Sequence, residues 1–201
     1  SSDGYQYKPY ANRIIQKSKD HSDILINDTQ VEIETYSEGF GNIKSRTEKN
    51  YTPGSVIPHF KETFTYKAAD TDKWLISQVE THIQTSGDKT RTTEFTNYDE
   101  FGRLTSMIIE PDDKPLTITY GYDDFGNVVT VTESAADIVD RTSNTNFDTI
   151  GLYVDNRVNA AEFTDFTVEA YDRRFGQPTS ILDANNLRTQ ISYDDLGRII
   201  W

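Results

Sequence analysis

The sequence predicts an all-β fold in which antiparallel β-hairpin repeats form an extended, curved sheet. Three observations favour it: strand-forming residues dominate the composition, a short aromatic-Asp-Gly phrase recurs at near-constant spacing, and turn signals fall between its copies. The 201 residues include 25 Thr, 18 Ile and 10 Val, against 8 Leu and 9 Ala. Because β-branched and aromatic side chains fit a pleated, half-buried surface, this balance favours strands over helices.

The charge of the chain excludes several classes of partner. Asp and Glu number 33 and Lys and Arg number 20, which gives a net charge of −13. A chain this acidic repels phosphate backbones, so we expect no nucleic-acid partner. No apolar run reaches the roughly 18 residues that a membrane helix needs, so we expect no membrane span. The absence of cysteine excludes disulfides, thiolate metal sites and a cysteine nucleophile.

A phrase of about seven residues recurs along the second half of the chain, and each copy opens with an aromatic residue followed by Asp. The opening residues lie at positions 98, 122, 147, 171 and 193, and an isolated, weaker copy opens at Tyr36. The repeat residues are Tyr98, Asp99, Gly102 and Arg103; Tyr122, Asp123 and Gly126; Phe147, Asp148 and Gly151; Tyr171, Asp172 and Gly176; and Tyr193, Asp194, Gly197 and Arg198.

Each phrase predicts a hairpin turn. Its Asp can accept hydrogen bonds from nearby backbone N–H groups, and its Gly suits a left-handed residue that closes a type I turn with a G1 bulge. We therefore expect positive φ at the repeat glycines. This geometry sets four apolar pairs opposite each other: Tyr98 with Leu104, Tyr122 with Val128, Phe147 with Tyr153, and Tyr193 with Ile199.

A large apolar residue stands directly before each glycine of the phrase. We expect this residue to fold over the end of its hairpin or to pack on the next repeat. The six residues are Phe40, Phe101, Phe125, Ile150, Phe175 and Leu196.

A second family of turns falls between the phrases and predicts strands of roughly ten residues. A helix from Trp74 to Thr85 is an alternative, because its apolar residues share a helical face. The second turns are expected at Ser86–Lys89, Pro111–Lys114, Ser134–Asp137, Asn159–Glu162 and Asp183–Asn186.

The repeats divide the chain into an irregular N-terminal β arm, residues 1–73, and a repeat sheet, residues 74–201. Within the arm we expect one or two strands from Ile24 to Ile33 and a short helix from Asn12 to Lys19. Pro53-Gly54 and Pro58 predict loops.

Motifs that suggest chemistry have simpler explanations as turns. Asp124-Phe125-Gly126 spells the magnesium motif of protein kinases, but no other kinase motif accompanies it. The histidines at positions 21, 59 and 82 are far apart in the sequence, which disfavours a zinc site or histidine catalysis. We therefore predict no catalytic residue and no cofactor.

Two binding hypotheses stay open. Paired acids at Asp112-Asp113, Asp123-Asp124 and Asp194-Asp195 offer hard oxygen ligands, so bound calcium is an alternative to a purely structural turn role. The same paired acids could serve as the two carboxylates of a glycoside hydrolase, but the sequence favours this interpretation much less than bound calcium. The repeat aromatics suit sugar stacking, although cross-strand packing is the favoured interpretation.

The phrase Tyr-Asp-x-x-Gly-Arg at this spacing resembles the YD repeat of the Rhs family. The resemblance is closest from Arg141 to Trp201, and it is weak over the first 60 residues. Asn127 and Gln177 stand where Arg is usual, and Asn186 stands where the second turn often has Gly.

The resemblance implies an arc of an Rhs/YD-repeat shell, similar to bacterial Rhs shells and to the B components of insecticidal toxin complexes. It implies a secreted or cell-surface bacterial protein whose shell encloses a C-terminal toxin, with adjacent repeats and the toxin as partners. Its alternative is a carbohydrate-binding or adhesion module that holds glycans on the aromatic and acidic sheet face. Since Ile199, Ile200 and Trp201 are apolar, we also expect self-association through strand edges.

Overall fold

The computed structural model describes residues 13–19, 25–36, 40–52 and 55–200, and the side chains of residues 31–33, 40–49 and 60–200. Every regular element in these ranges is a β-strand, and they hold no helix able to span a membrane. The strands are β1 (Arg13–Lys19), β2 (Leu25–Tyr36), β3 (Ile43–Thr52), β4 (Ser55–Tyr66), β5 (Val79–Ser86), β6 (Lys89–Tyr98), β7 (Leu104–Ile109), β8 (Leu116–Tyr122), β9 (Val128–Ala135), β10 (Arg141–Phe147), β11 (Val154–Val158), β12 (Thr164–Asp172), β13 (Gln177–Asp183), β14 (Arg188–Gln190), β15 (Ser192–Tyr193) and β16 (Ile199–Ile200).

The chain forms two compact units. Of the described residues, the first unit takes those up to Thr96 together with Glu100–Gly102 and Ile109–Asp113; the second takes Asn97–Asp99, Arg103–Ile108 and those from Lys114 onward. In the first unit each strand from β1 to β6 pairs antiparallel with the next. In the second unit the same holds from β8 to β14, while β15 and β16 form a separate hairpin. The predicted fold of antiparallel hairpin repeats is confirmed.

The side chains that the structure describes form no apolar core within the sheets. Among the described side chains no hydrophobic residue is buried, whereas Ser45, Thr47 and Glu62 are. Polar pairs connect neighbouring strands instead; the Oγ1 atoms of Thr65 and Thr81, for example, lie 2.7 Å apart. Backbone ladders and cross-strand side-chain pairs therefore hold these sheets together.

The repeat turns keep the predicted left-handed glycine, and two of the four predicted cross-strand pairs are present. Tyr122 pairs with Val128, and Tyr193 pairs with Ile199, as the turn type requires. The repeat glycines all lie in the left-handed region, which confirms the prediction of positive φ: Gly41 (73°), Gly102 (81°), Gly126 (91°), Gly151 (68°), Gly176 (67°) and Gly197 (77°).

The copy that opens at Phe147 departs from the predicted register. Phe147 pairs with Val154 and not with Tyr153. The N–H of Asp148 donates to the carbonyl of Tyr153 at 2.8 Å, whereas in the repeat before it the N–H of Asp123 donates to Asn127, one position earlier in the turn. Leu152 is the extra residue after the glycine, and it is 68% exposed. The prediction was wrong because it gave this copy the same turn length as the Tyr122 copy.

Two predictions for the N-terminal part were wrong. Residues 13–19 form strand β1, not a helix, because they pair with β2 along their whole length. Pro58 lies inside β4 rather than in a loop; it pairs with Lys49 next to a register shift, where a residue without an N–H is tolerated. Pro53-Gly54 and Ile24 lie outside the described residues; from Leu25 onward the predicted segment belongs to the single strand β2.

The alternative of a helix from Trp74 to Thr85 is also wrong. Residues 71–74 form a turn, and β5 begins at Val79. Inside the loop 67–78, Asp70 and Leu75 form an isolated antiparallel β-bridge through two backbone hydrogen bonds. This loop is an extension of the hairpin that joins β4 to β5.

All five second turns lie within one residue of the positions that the sequence predicts. Two of them repeat the geometry of the phrase. Asn159 Oδ1 accepts from the N–H groups of Ala161 (2.9 Å) and Phe163 (3.2 Å). Asp183 Oδ1 accepts in the same way from Asn185 and Leu187. The left-handed position that glycine fills in the phrase is taken here by Glu162 (φ 63°) and Asn186 (φ 59°).

We expect Glu162→Gly to stabilise the second unit. Glu162 is exposed. Its positive φ is strained, because residues other than Gly, Asn and Asp rarely adopt this conformation. Relief of this strain should raise the free energy of unfolding by roughly 0.5–1 kcal/mol. Asn186→Gly is the matched control, since Asn tolerates this conformation and should gain little. Urea unfolding midpoints measure both variants, and a Glu162→Gly protein no more stable than Asn186→Gly would contradict the strain argument.

Candidate functional site

The candidate site is the row of repeat turns, in which each aspartate organises its own turn. Asp123 Oδ1 accepts hydrogen bonds from the N–H groups of Phe125 (2.9 Å) and Asn127 (2.8 Å). Asp194 Oδ1 does the same with Leu196 and Arg198, both at 2.9 Å. In both turns the glycine N–H donates to the carbonyl of the aspartate. The aspartate is therefore required by the backbone of the turn.

These hydrogen bonds lower the pKa values of the turn aspartates. Desolvation by itself would raise the pKa of Asp123, but the side-chain and backbone hydrogen bonds from Asn127, Phe125 and Gly126 outweigh it. For Asp194 the backbone N–H of Arg198 is the largest cause of the lowered pKa. Carboxylates that stay ionised in this way serve as acceptors and are unsuited to donate a proton near neutral pH.

In two successive repeats the residue directly after the glycine reaches the next repeat. Arg103 Nε donates to Asp99 Oδ2 at 2.6 Å, and its guanidinium carbon lies 4.5 Å from the ring centroid of Tyr122. At the same position in the following repeat, Asn127 Nδ2 donates to Asp123 Oδ2 (3.0 Å) and to the carbonyl of Gly151 (2.8 Å). We call these two the linking residues. The departure from Arg to Asn changes the type of contact and keeps the link to the next repeat.

In the Phe147 copy an aromatic residue makes the link instead. The ring of Tyr153 packs against that of Tyr171 in the next repeat, with the centroids 4.7 Å apart and the planes tilted by 35°. Leu152, the extra residue of this turn, directly follows Gly151. The insertion therefore moves the link by one residue without removing it.

The hydroxyl groups of the repeat tyrosines form a second link. Tyr122 donates to the carbonyl of Leu104 at 2.6 Å, and Tyr171 donates to that of Val154 at 2.7 Å. Tyr193 donates likewise to Pro178 at 3.0 Å. Val154 and Pro178 are the residues paired with the opening aromatic of the preceding repeat. Each tyrosine thus fastens its strand to the hairpin before it.

Tyr66 is a member of this tyrosine series that the sequence analysis missed. Its hydroxyl donates to the carbonyl of Ile43 at 2.7 Å, and Ile43 pairs with Tyr36, which opens the isolated copy. Tyr66 itself pairs with Val79 at the base of its hairpin. The signal was hidden because the loop 67–78 replaces the short phrase. Burial raises the pKa of Tyr66 and that of Tyr171, so both hydroxyls remain donors.

The apolar residue before the glycine packs on the next repeat in two turns, as predicted. A Cβ atom on Gly151 would lie 2.3 Å from Phe125, and one on Gly197 would lie 3.0 Å from Phe175. Glycine is required there for both its φ and its small size. Leu75, in the loop 67–78, covers Gly102 in the same way at 2.6 Å. The other four residues at this position are Phe40, Phe101, Ile150 and Leu196, which are 39%, 70%, 47% and 74% exposed.

A buried polar cluster in the first unit was not predicted. Glu62 on β4 has a side chain only 7% exposed, and it forms an ion pair with Arg46 on β3. His82 Nε2 on β5 lies 2.8 Å from Glu62 Oε1, and the imidazole stacks on Phe64 with centroids 4.5 Å apart. The sequence singled out His82 only as a lone histidine. His82 pairs with Phe64 across β4 and β5, and this register places Glu62, two residues earlier on β4, within reach of the imidazole.

The described residues contain no group of three or more His, Asp or Glu side chains placed to hold a metal ion. The paired acids are therefore not brought together into a calcium site within these ranges. Asp124 is an exposed residue of its turn, and the side chains of His21 and His59 lie outside those that the structure describes.

We predict that Tyr122→Phe lowers and Phe147→Tyr raises the stability of the second unit. Removing the hydroxyl of Tyr122 leaves the carbonyl of Leu104 without this donor, at a cost of about 1 kcal/mol. Phe147 occupies the equivalent position without a hydroxyl, so tyrosine there gains a hydrogen bond to the preceding repeat, worth about 0.5–1 kcal/mol. Urea unfolding measures the stability of the wild type and of both variants. Equal stabilities of these three proteins would show that the tyrosine hydroxyl groups do not link successive repeats.

We predict that Glu62 makes the first unit sensitive to acid. Desolvation opposes ionisation of Glu62, but hydrogen bonds and charge from Arg46 and His82 outweigh it and hold its pKa below the ordinary value of 4.5. The ionised form stabilises the fold fully above pH 4.5, and this contribution is lost as the pH falls through the lowered folded-state pKa.

Thermal unfolding from pH 7 to pH 3 tests this prediction. Glu62→Gln should cost roughly 2 kcal/mol at pH 7 and should lose less stability on acidification than the wild type does. Glu80→Gln, which alters an exposed carboxylate on β5, is the control and should behave as the wild type. Parallel pH profiles for the wild type and Glu62→Gln would show that Glu62 does not carry the effect.

The comparisons with known proteins agree with this geometry. The family model described as RHS Repeat matches residues 98–138, which hold the Tyr98 and Tyr122 phrases and the turns that follow them. The comparison with curated proteins finds no match. RHS repeats are in general structural rather than catalytic units. The segment from residue 98 to residue 138 is therefore similar to an RHS repeat, which supports the resemblance to the Rhs/YD-repeat family.

Proposed function

We propose that this chain is a structural, non-catalytic part of a β-sheet shell that encloses the C-terminal toxin of a longer bacterial protein, secreted or displayed at the cell surface. The RHS repeat at residues 98–138 supports the family. The contacts within the repeats support the structural role, because their tyrosines, aspartates and linking residues contact each other.

The observation that carries the proposal is the lack of an apolar core among the described side chains. A sheet of this kind is a wall one layer thick, held by hydrogen bonds and by links between successive hairpins. A wall must resist opening between neighbouring strands, and the linking residues and the tyrosine hydroxyls act at those junctions. Its half-buried faces suit contact with a further layer of the same protein or with an enclosed chain.

The alternative role in carbohydrate binding receives less support from the repeat tyrosines. Stacking on a sugar requires an open aromatic face. One face of Tyr122 is covered by Arg103, and Tyr171 packs against Tyr153. Their hydroxyl groups already donate to backbone carbonyls. These contacts favour packing over glycan recognition for these residues.

Association through strand edges stays a prediction. In the β15–β16 hairpin, Ile199 is 56% exposed and Ile200 is 49% exposed. Trp201 lies outside the described residues.

Limited proteolysis of the full-length protein tests enclosure. We expect the C-terminal domain to be protected when the repeat segment is intact and to be cleaved when Gly151→Arg forces Phe125 away from the turn. Glu162→Gln is the matched control, since it alters an exposed turn residue of the same unit without this clash. Circular dichroism must show that the β-sheet persists in each variant. A C-terminal domain cleaved at the same rate in all three proteins would refute enclosure by this sheet.

A further inference from the structure

A cavity of about 860 Å³ lies in the first unit, between the start of β3, the end of β4 and the loop 67–78. Its volume falls within the range typical of ligand pockets. The described residues that line it include three lysines and no carboxylate: Lys44, Lys61 and Lys67. In a chain with 33 acidic and 20 basic residues, such a lining reverses the overall charge locally.

An apolar wall lies beside the lysines. Phe40, which is 39% exposed, contributes to it together with Phe64, Tyr66 and Ile76. A flat apolar group can pack against such a wall while an acidic group on the same molecule faces the lysines.

Hydrogen bonds hold the walls of the cavity in place. Asn42 Nδ2 donates to the carbonyl of Ile76 at 2.7 Å, which joins the segment before β3 to the loop 67–78. Tyr66 donates to the carbonyl of Ile43 at 2.7 Å, which joins the end of β4 to the start of β3. Lys67 Nζ donates to the carbonyl of Thr96 at 3.0 Å, which fixes its position. The cavity is therefore formed without a ligand, which lowers the cost of binding one.

We propose that this cavity binds a small organic anion, in which a carboxylate, sulfate or sulfonate group is attached to a flat ring. The lysines supply charge-assisted hydrogen bonds to the acidic group. The aromatic wall buries one face of the ring. This inference concerns a ligand site in the first unit and is independent of the proposed enclosure of a toxin.

The probe is 8-anilinonaphthalene-1-sulfonate, which combines a sulfonate with aromatic rings, and its uncharged analogue is N-phenyl-1-naphthylamine. Lys44→Glu should raise the dissociation constant of the sulfonate probe about fivefold, since one cation becomes an anion. Lys89→Glu is the control: Lys89 is 86% exposed at the turn between β5 and β6 and does not line the cavity. Binding of the uncharged analogue should be the same in both variants as in the wild type.

Amide chemical shifts locate the bound probe on the intact 201-residue chain. We expect the sulfonate to perturb the amides of residues 40–45 and 61–67. Phe40→Ala should weaken both probes, because it removes part of the shared apolar wall. Equal affinity of Lys44→Glu and Lys89→Glu for the sulfonate, or perturbations confined to other strands, would overturn the proposal.

Discussion

The aspartate that closes each repeat turn is the constraint on which the rest of the sheet depends. Its carboxylate accepts N–H groups from inside the turn, and this fixes which residue is left-handed and where the next strand begins. With no apolar side chain buried among the described residues, strand order cannot rely on a core. The turn also sends the residue after the glycine toward the next hairpin, as Arg103 does toward Tyr122. One local motif therefore sets both register and stacking.

Local constraints of this kind could be predicted from the sequence, and non-local ones could not. The pairing of Tyr122 with Val128 follows from contacts within one turn, so the phrase alone predicts it. The pairing of Phe147 was missed because Tyr153 and Val154 are both apolar, and the pattern does not distinguish a turn with one inserted residue. Residues 13–19 form a strand only because β2 lies beside them. Glu62 and His82 lie 20 residues apart in the sequence, on adjacent strands, and no spacing pattern predicts their contact.

The linking position shows why the repeats tolerate substitution. Arg103 lies over the ring of Tyr122, Asn127 donates to the carbonyl of Gly151, and Tyr153 packs against Tyr171. These residues differ in chemical type and share only their contact with the next hairpin. A catalytic site would demand one chemical group at one place, so this variation is typical of a structural role. It also explains why the departures at Asn127 and near Leu152 leave the order of the strands unchanged.

The cavity in the first unit arises where the repeat pattern breaks. After Tyr66 the short phrase is replaced by the loop 67–78, in which Trp74 takes the left-handed position (φ 60°) and stays 71% exposed. This loop contributes Ala69 and Ile76 to the wall, and Asn42 binds it at Ile76. Because an ordinary repeat turn would be too short to form this wall, the lysine cavity follows from the irregularity. Departures from local sequence rules concentrate at functional sites in proteins. Here the departure forms a cavity that is lined by three lysines and an apolar wall, in a chain that is acidic overall.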